Sequence, residues 1–332
     1  MPLYSLLTQY LAHALVLFSA PGAAPGLLDL PTLEQQLENG IATGAIYALI
    51  ALGYTMVYGI IELINFAHGD VFMWGSFGAL GLVTLFRIPD HLTGLPLIGV
   101  LAGLLIACMA VSAVFNVTIE RLAYRPLQRA PRLALLISAI GASFILEDLA
   151  KLWKGPNQIR FPMIFPVATF NIGPVTIPYL DVFIVVLSIV LMVALDRFIK
   201  LTKMGRAMRA TAQDREAASL MGVNINRTIF ITFLIGGALA GAAGLIYSMK
   251  LQFVWYYTGF EVGLKAFTAA VLGGIGDIKG AVYGGFLIGI IEAFAQQFFG
   301  VEWVDATVFA ILVLVLVVRP SGLVGVASGD KA

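Results

Sequence analysis

The sequence predicts an all-α fold: a polytopic integral membrane protein with about nine spanning helices, roughly eight to ten, some of them broken or re-entrant. Three observations carry this. Of 332 residues, 60% are hydrophobic and only 12% charged, with a mean hydropathy of +0.94. Apolar runs of about the 20 residues needed to cross a bilayer recur along the chain. Lys and Arg gather in alternate connectors, as topogenic charge does. Soluble chains carry roughly 25% charge, so a water-facing surface of this size cannot be built here, whereas lipid can face the apolar side chains.

The runs lie near 41–60, 63–86, 95–117, 133–153, 180–199, 227–249, 264–276, 281–299 and 303–318. The run at 264–276 is short for a full crossing and reads as a half-helix or re-entrant segment, permitted only where protein shields its backbone. It joins the next run through 273–280 (GGIGDIKG), so Gly273, Gly274 and Gly276 are candidates for a helix break or hinge. Residues 1–35 read as an N-terminal extension with an extra helix, spanning or lying on the membrane. Its apolar part from Leu11 to Phe18 lacks the positively charged n-region of a signal peptide. The domain proper then covers 36–325, and 326–332 form a cytoplasmic tail.

Positive charge sets orientation. Arg121, Arg125, Arg129 and Arg132 follow the third run, and Arg197, Lys200, Lys203, Arg206, Arg209 and Arg215 follow the fifth. This places 118–132, 200–226 and the C-terminus in the cytoplasm, and the Pro- and aromatic-rich loop 154–179 outside. A net charge of +1 gives no electrostatic case for nucleic acid. The single cysteine, Cys108, lies in an apolar run without a metal-ligand cluster and reads as a packing residue.

Ionisable groups inside a membrane are costly, so each is a functional lead. The first group is 62–70 (ELINFAHGD), from which Asn65, His68 and Asp70 are candidates for lining or gating a solute pathway at a helix break. Three roles are open to it: capping and bracing the break, contacting solute, or acid–base catalysis by His68 with Asp70 or Glu62. Positions two apart do not face each other on a helix, which weakens the last. A second group, Glu147, Asp148 and Lys151, reads as an interfacial ion pair between Glu147 and Lys151. Glu292, Gln296 and Gln297 face either the bundle interior or the interface.

The third feature is the basic stretch 204–222 (MGRAMRATAQDREAASLMG). Its residues favour a helix through Met221, with Gly222 as the stop. Glu216, Ala217, Ala218 and Gly222 form an EAA, three residues, G pattern similar to the short docking helix of ABC importer permeases, so these residues with Arg209 are candidates for a coupling helix against an ATPase. The chain has no G-x-x-x-x-G-K-[ST] loop, no H-E-x-x-H and no G-x-S-x-G. It is therefore read as a transport subunit and not an enzyme, with no metal.

Longer blocks carry a family resemblance. Residues 45–61 (AIYALIALGYTMVYGII), 65–69 (NFAHG), 119–126 (IERLAYRP), 136–141 (LISAIG), 204–207 (MGRA) and 265–276 (KAFTAAVLGGIG) resemble the LivH-type permeases of branched-chain amino acid ABC importers, in order, from about 36 to 325. The resemblance implies a permease subunit in the bacterial inner membrane that moves branched-chain amino acids or related small polar solutes. It implies four partners: a second related permease, two ATPase subunits that bind the ATP, and a periplasmic solute-binding protein. No cofactor would be bound by this chain itself. A urea or short-amide permease of the same type is the nearest alternative. An ion-coupled secondary transporter fits the composition but not the basic EAA-type stretch.

Overall fold

The computed structural model describes residues 29–127, 130–319 and 321–324. Of the expected extension at 1–35, residues 1–28 lie outside the described residues, as does the tail at 326–332, while residues 30–35 open α1. The chain forms α1 (Leu30–Ile61), α2 (His68–Leu85), α3 (Gly94–Ile119), α4 (Arg132–Lys154), α5 (Tyr179–Leu201), α6 (Lys203–Gln213), α7 (Arg215–Leu220), α8 (Ile225–Leu251), α9 (Thr258–Gly273), α10 (Ile278–Phe299) and α11 (Val304–Val318). A π turn at Glu120–Tyr124 prolongs α3, and a 3-10 turn at Val301–Trp303 leads into α11.

Helix α1 is the axis of the bundle. Its residues from Ala45 to Val57 are buried on every side, as expected of a helix that is apolar all round. It packs against α10 through small residues. A Cβ on Gly40 would lie 2.7 Å from the Ile290 Cα, and one on Gly44 would lie 2.7 Å from the Phe286 Cα. The two backbones therefore touch, the arrangement by which membrane helices gain dispersion energy without a hydrophobic drive between them. Helix α8 makes a similar seam with α3, where Gly237 and Gly241 meet Asn116 and the Cys108 backbone. Cys108 is wholly buried there, a packing residue as read from sequence. Peripheral α4, α5 and α11 expose Ile137, Phe144, Val186, Val193, Val313 and Leu314, a surface suited to lipid and not to water.

Among the described residues, 7 helices are long and apolar enough to cross a membrane: Leu30–Ile61, Gly94–Tyr124, Arg132–Lys154, Tyr179–Leu201, Ile225–Leu251, Ile278–Phe299 and Val301–Val318. Of the nine or so expected spans, seven meet this standard. The runs at 63–86 and 264–276 fold as α2 and α9, which have 18 and 16 residues and fall short of that standard. Both carry Gly and ionisable residues and are buried over most of their length among other helices.

The all-α expectation is amended by two small sheets. Within 154–179, β2 (Thr169–Ile172) pairs antiparallel with β3 (Val175–Pro178), turning at Gly173, whose φ of 61° suits glycine. The strand β1 (Ile159–Arg160) pairs with β4 (Phe253–Val254) after α8, which pins this connector to the far end of the core. His91 and Leu92 donate backbone N–H groups to the Met163 and Ile164 carbonyls at the same end. The opposite end gathers the C-terminus of α1, the start of α4 and the α6–α7 stretch.

Candidate functional site

The break after α1 is built by Glu62, a non-glycine residue at φ 58°. Its N–H bonds to the Tyr58 carbonyl and closes the helix. The chain then dips back into the bundle before restarting at His68. Asn65, His68 and Asp70 are all buried, with at most 1% of their surface exposed, and each points to a different neighbour.

Asn65 donates Nδ2–H to Asn116 Oδ1 at 3.2 Å, and Asn116 donates in turn to the Phe233 carbonyl at 2.6 Å. The Tyr124 hydroxyl lies 3.3 Å from both Asn65 Oδ1 and the Ile64 carbonyl. The turn is thus tied to α3, its π extension and α8 at once. His68 rests on Gly53, whose missing Cβ gives the imidazole its place, and meets the Tyr54 ring edge-on at 4.7 Å. Among the described residues neither ring nitrogen has a well-formed hydrogen bond, the Ile50 carbonyl being its polar neighbour. Asp70 faces α4 instead, where the Ser143 hydroxyl donates to Oδ2 at 2.5 Å, while Oδ1 lies against Gly259 without a bond among the described residues. His68 and Asp70 diverge and form no acid–base pair. The three residues sit in the packed core and are not among the residues lining the cavity beside Arg215 or the one beside Asp181.

A second polar centre escaped the sequence reading. Lys265 Nζ lies 2.9 Å from Glu292, 2.9 Å from Asp305 and 3.7 Å from Glu261. Glu292 also accepts from the Tyr47 hydroxyl at 2.5 Å. Glu292 therefore faces the interior, which settles its position. One buried cation holds three carboxylates from α9, α10 and α11, and two of these, Glu261 and Asp305, reach the surface with 41% and 55% of their side chains exposed. A lone Lys in an apolar run was the available signal, since such a charge requires partners. Asn116, in the apolar run 95–117, was missed for the same reason. Glu120 is another: it is buried in the π turn with neither carboxylate oxygen bonded among the described residues. The expected Glu147–Lys151 pair does not form. Lys151 lies instead over the Tyr256 ring, 5.5 Å from its centre.

The basic stretch is two helices and not the single one expected. Asp214 takes an extended conformation, and its side chain accepts from the Glu216 and Ala217 N–H groups. This N-cap stops α6 and starts α7. Arg209 donates to the Ile199 carbonyl near the end of α5. Ala218 is buried against the protein, while Glu216 and Ala217 are exposed. Gly222, at φ 84°, ends the module. Leu220 and Met221 project with 88% and 85% of their surface exposed.

Gly273, Gly274 and Gly276 form the turn between α9 and α10, with φ of 110° at Gly274 and 96° at Gly276. A Cβ on Gly273 would collide with the Gly280 carbonyl. Asp277 caps α10 through the Lys279 and Gly280 N–H groups. Leu323 and Val324 donate N–H groups to the Leu272 and Gly273 carbonyls, satisfying the end of α9.

Residues 36–316 match the family described as the branched-chain amino acid transport system permease component. Over 301 residues the chain is 43% identical to the high-affinity branched-chain amino acid transport system permease protein BraD of Pseudomonas aeruginosa, covering 90% of this chain and 97% of that protein. It is 41% identical to the permease protein LivH of the corresponding system in Escherichia coli, with the same coverage of 90% and 97%. A solved structure, PsaBC from Streptococcus pneumoniae in complex with Fab, aligns with 94% of this chain and 97% of that chain at a TM-score of 0.45 and 12% identity.

Proposed function

We propose, from the premise that this chain belongs to the branched-chain amino acid transport permease family, that it is the membrane-spanning permease subunit of an ATP-driven importer of branched-chain amino acids. The observation that carries this reading is identity of 41% to 43% over 301 residues with two permeases named for that transport. No feature of the fold favours a urea permease or an ion-coupled carrier.

In this reading the chain performs no covalent chemistry. Two ATPase subunits bind the nucleotide, a second related permease completes the pathway, and a periplasmic binding protein delivers solute. The exposed Leu220 and Met221, on a capped helix beside Glu216 and Ala217, form the surface that enters an ATPase groove. The protein resides in the bacterial inner membrane with α6–α7 and the C-terminus in the cytoplasm. Supporting this, the basic connectors share the end of the bundle that holds the Arg132–Glu62 pair. Helices α2 and α9, shielded by their neighbours, complete the crossings between the seven longer spans. Asn65, His68 and Asp70 gate the pathway by holding the break at the base of α2. The turn at Gly273, Gly274 and Gly276 is the matching hinge on the other side of α1.

Purification of the chain from native membranes, with attached subunits identified by mass spectrometry, tests the reading. Recovery with an ATPase and a second permease is expected. A stable oligomer of this chain alone that moves leucine without ATP would overturn it.

A further inference from the structure

The α6–α7 stretch is fastened to two membrane helices by two arginines, in the same way each time. Arg209 donates Nη1–H to the Ile199 carbonyl in the last turn of α5. Arg215 donates both Nε–H, at 3.0 Å, and Nη2–H to the Ile60 carbonyl in the last turn of α1. The last four carbonyls of a helix have no partner within it and carry its partial negative charge. A guanidinium placed there satisfies both needs, and two donors on one oxygen fix its direction. Asp214 stands between the two arginines and caps α7, so the clamps sit on either side of a defined joint.

What Arg215 holds is the edge of the helix break. Ile60 is followed by Ile61 and then by Glu62, the left-handed residue that ends α1. Glu62 is paired with Arg132 at 3.2 Å, and the turn continues to Asn65 and His68 in the core. A cavity of about 490 Å³ opens beside the clamp, lined by Ile61, Leu63, Tyr124, Leu135, Arg215 and Ile229 among others. The turn and the guanidinium thus have room to shift without driving side chains out of a packed interior.

We propose that Arg215 is the positioning residue that carries motion of the α6–α7 module directly to the break after α1, with Arg209 holding α5 as the fixed point of that motion. Its other ties to the core are the chain to α5 and α8, the Arg209 clamp on α5 and the buried face of α6 with Met208 and Thr211, and none of these is a hydrogen bond to the last turn of α1. The proposal rests on the reading that α7 docks an ATPase, and it adds the route by which that docking reaches the pathway.

The test uses the complete importer in proteoliposomes: both permeases, the ATPases, the binding protein and leucine. Three variants are compared, Arg215→Gln, Arg215→Lys and, as a control on the exposed face of α6, Arg206→Gln. The readout is leucine taken up per ATP hydrolysed, a ratio that a change in folded yield does not move. Arg215→Gln is expected to lower it at least about fivefold, the lower end of a coupling energy, while hydrolysis persists. Arg215→Lys, which keeps charge but loses the two-donor fork, is expected to fall between, and Arg206→Gln to match the wild type. An unchanged ratio in Arg215→Gln overturns the proposal.

A measurement with Arg215 intact covers the case in which the variant does not assemble. Spin labels at positions 62 and 212 are expected to keep one separation with and without a non-hydrolysable ATP analogue, because the clamp moves both together. A nucleotide-dependent change in that separation contradicts it. Cross-linking of a Leu220→Cys variant to the ATPase separates the two levels. Loss of the cross-link with retained transport would refute the docking reading and this inference with it. A cross-link with an unchanged uptake ratio in Arg215→Gln would refute this inference alone.

Discussion

Lys265 Nζ lies 2.9 Å from Glu292 Oε1, with Lys265 itself 5% exposed. The pair joins α9 to α10 inside the apolar body, and Tyr47 on α1 completes the bonding of Glu292. Removing one member of a buried pair strands the other, at a cost of roughly 3–5 kcal/mol. Lys265→Met is therefore expected to lower the thermal unfolding midpoint sharply. The double variant Lys265→Met/Glu292→Leu should recover part of the loss. Glu261→Gln should cost little, because its side chain is 41% exposed and solvent screens it. Thermal unfolding in detergent measures all three, and equal midpoints for Lys265→Met and wild type would refute the assignment.

The bridge from Asn65 through Asn116 to the Phe233 carbonyl gives a second expectation. Side-chain bonds between membrane helices are worth about 0.6 kcal/mol on average and up to about 1.7. Asn116→Leu should lower global stability by about 1 kcal/mol or a little more. Its clearer effect should be local, as faster backbone hydrogen exchange over 62–68 with the far end of the bundle unchanged. Unaltered exchange in that turn would show that the bridge does not hold it.

The seam between α1 and α10 predicts a contrast among glycines. A Cβ on Gly285 would collide with the Ala48 backbone, whereas one on Gly141 meets nothing within 4 Å. Gly285→Ala is expected to lose about 1–3 kcal/mol by overpacking. Gly141→Ala, at a half-buried position of α4 with open space around it, should be neutral or gain up to about 1 kcal/mol from helix propensity. Thermal midpoints moving together would mean that the seam is looser than its geometry indicates.

How much of this was legible in the sequence depended on whether the signal was local. Length and apolarity are local, so α3, α4, α5 and α8 fall where their runs lie. Helices α2 and α9 were visible as runs, but their crossing is a matter of what surrounds them, and no run encodes that. Asp214 was readable as a cap residue, yet good helix formers on both sides hid the joint it makes. The divergence of His68 and Asp70 followed from their spacing alone. Lys265 was hidden because only Glu261 lies near it in sequence, while Glu292 and Asp305 arrive by folding. The same holds for Arg215, whose partner is a backbone carbonyl 155 positions away.

The docking surface yields its own expectation. Leu220 and Met221 are exposed apolar side chains at the C-terminal end of the short capped α7, and burying them against an ATPase groove would be favourable. Leu220→Asp should leave insertion and thermal stability unchanged and abolish solute-stimulated ATP turnover in the assembled importer. Normal stimulated turnover would remove α7 from the contact.

The central claim is tested most directly by leucine uptake into proteoliposomes that hold this chain, its partner permease and the two ATPases, with the loaded binding protein outside and ATP within. The account predicts uptake against a gradient that requires both the binding protein and ATP hydrolysis, and that stops when this chain is left out. Leucine accumulation by this chain alone, driven by a proton or sodium gradient and indifferent to ATP, would contradict it.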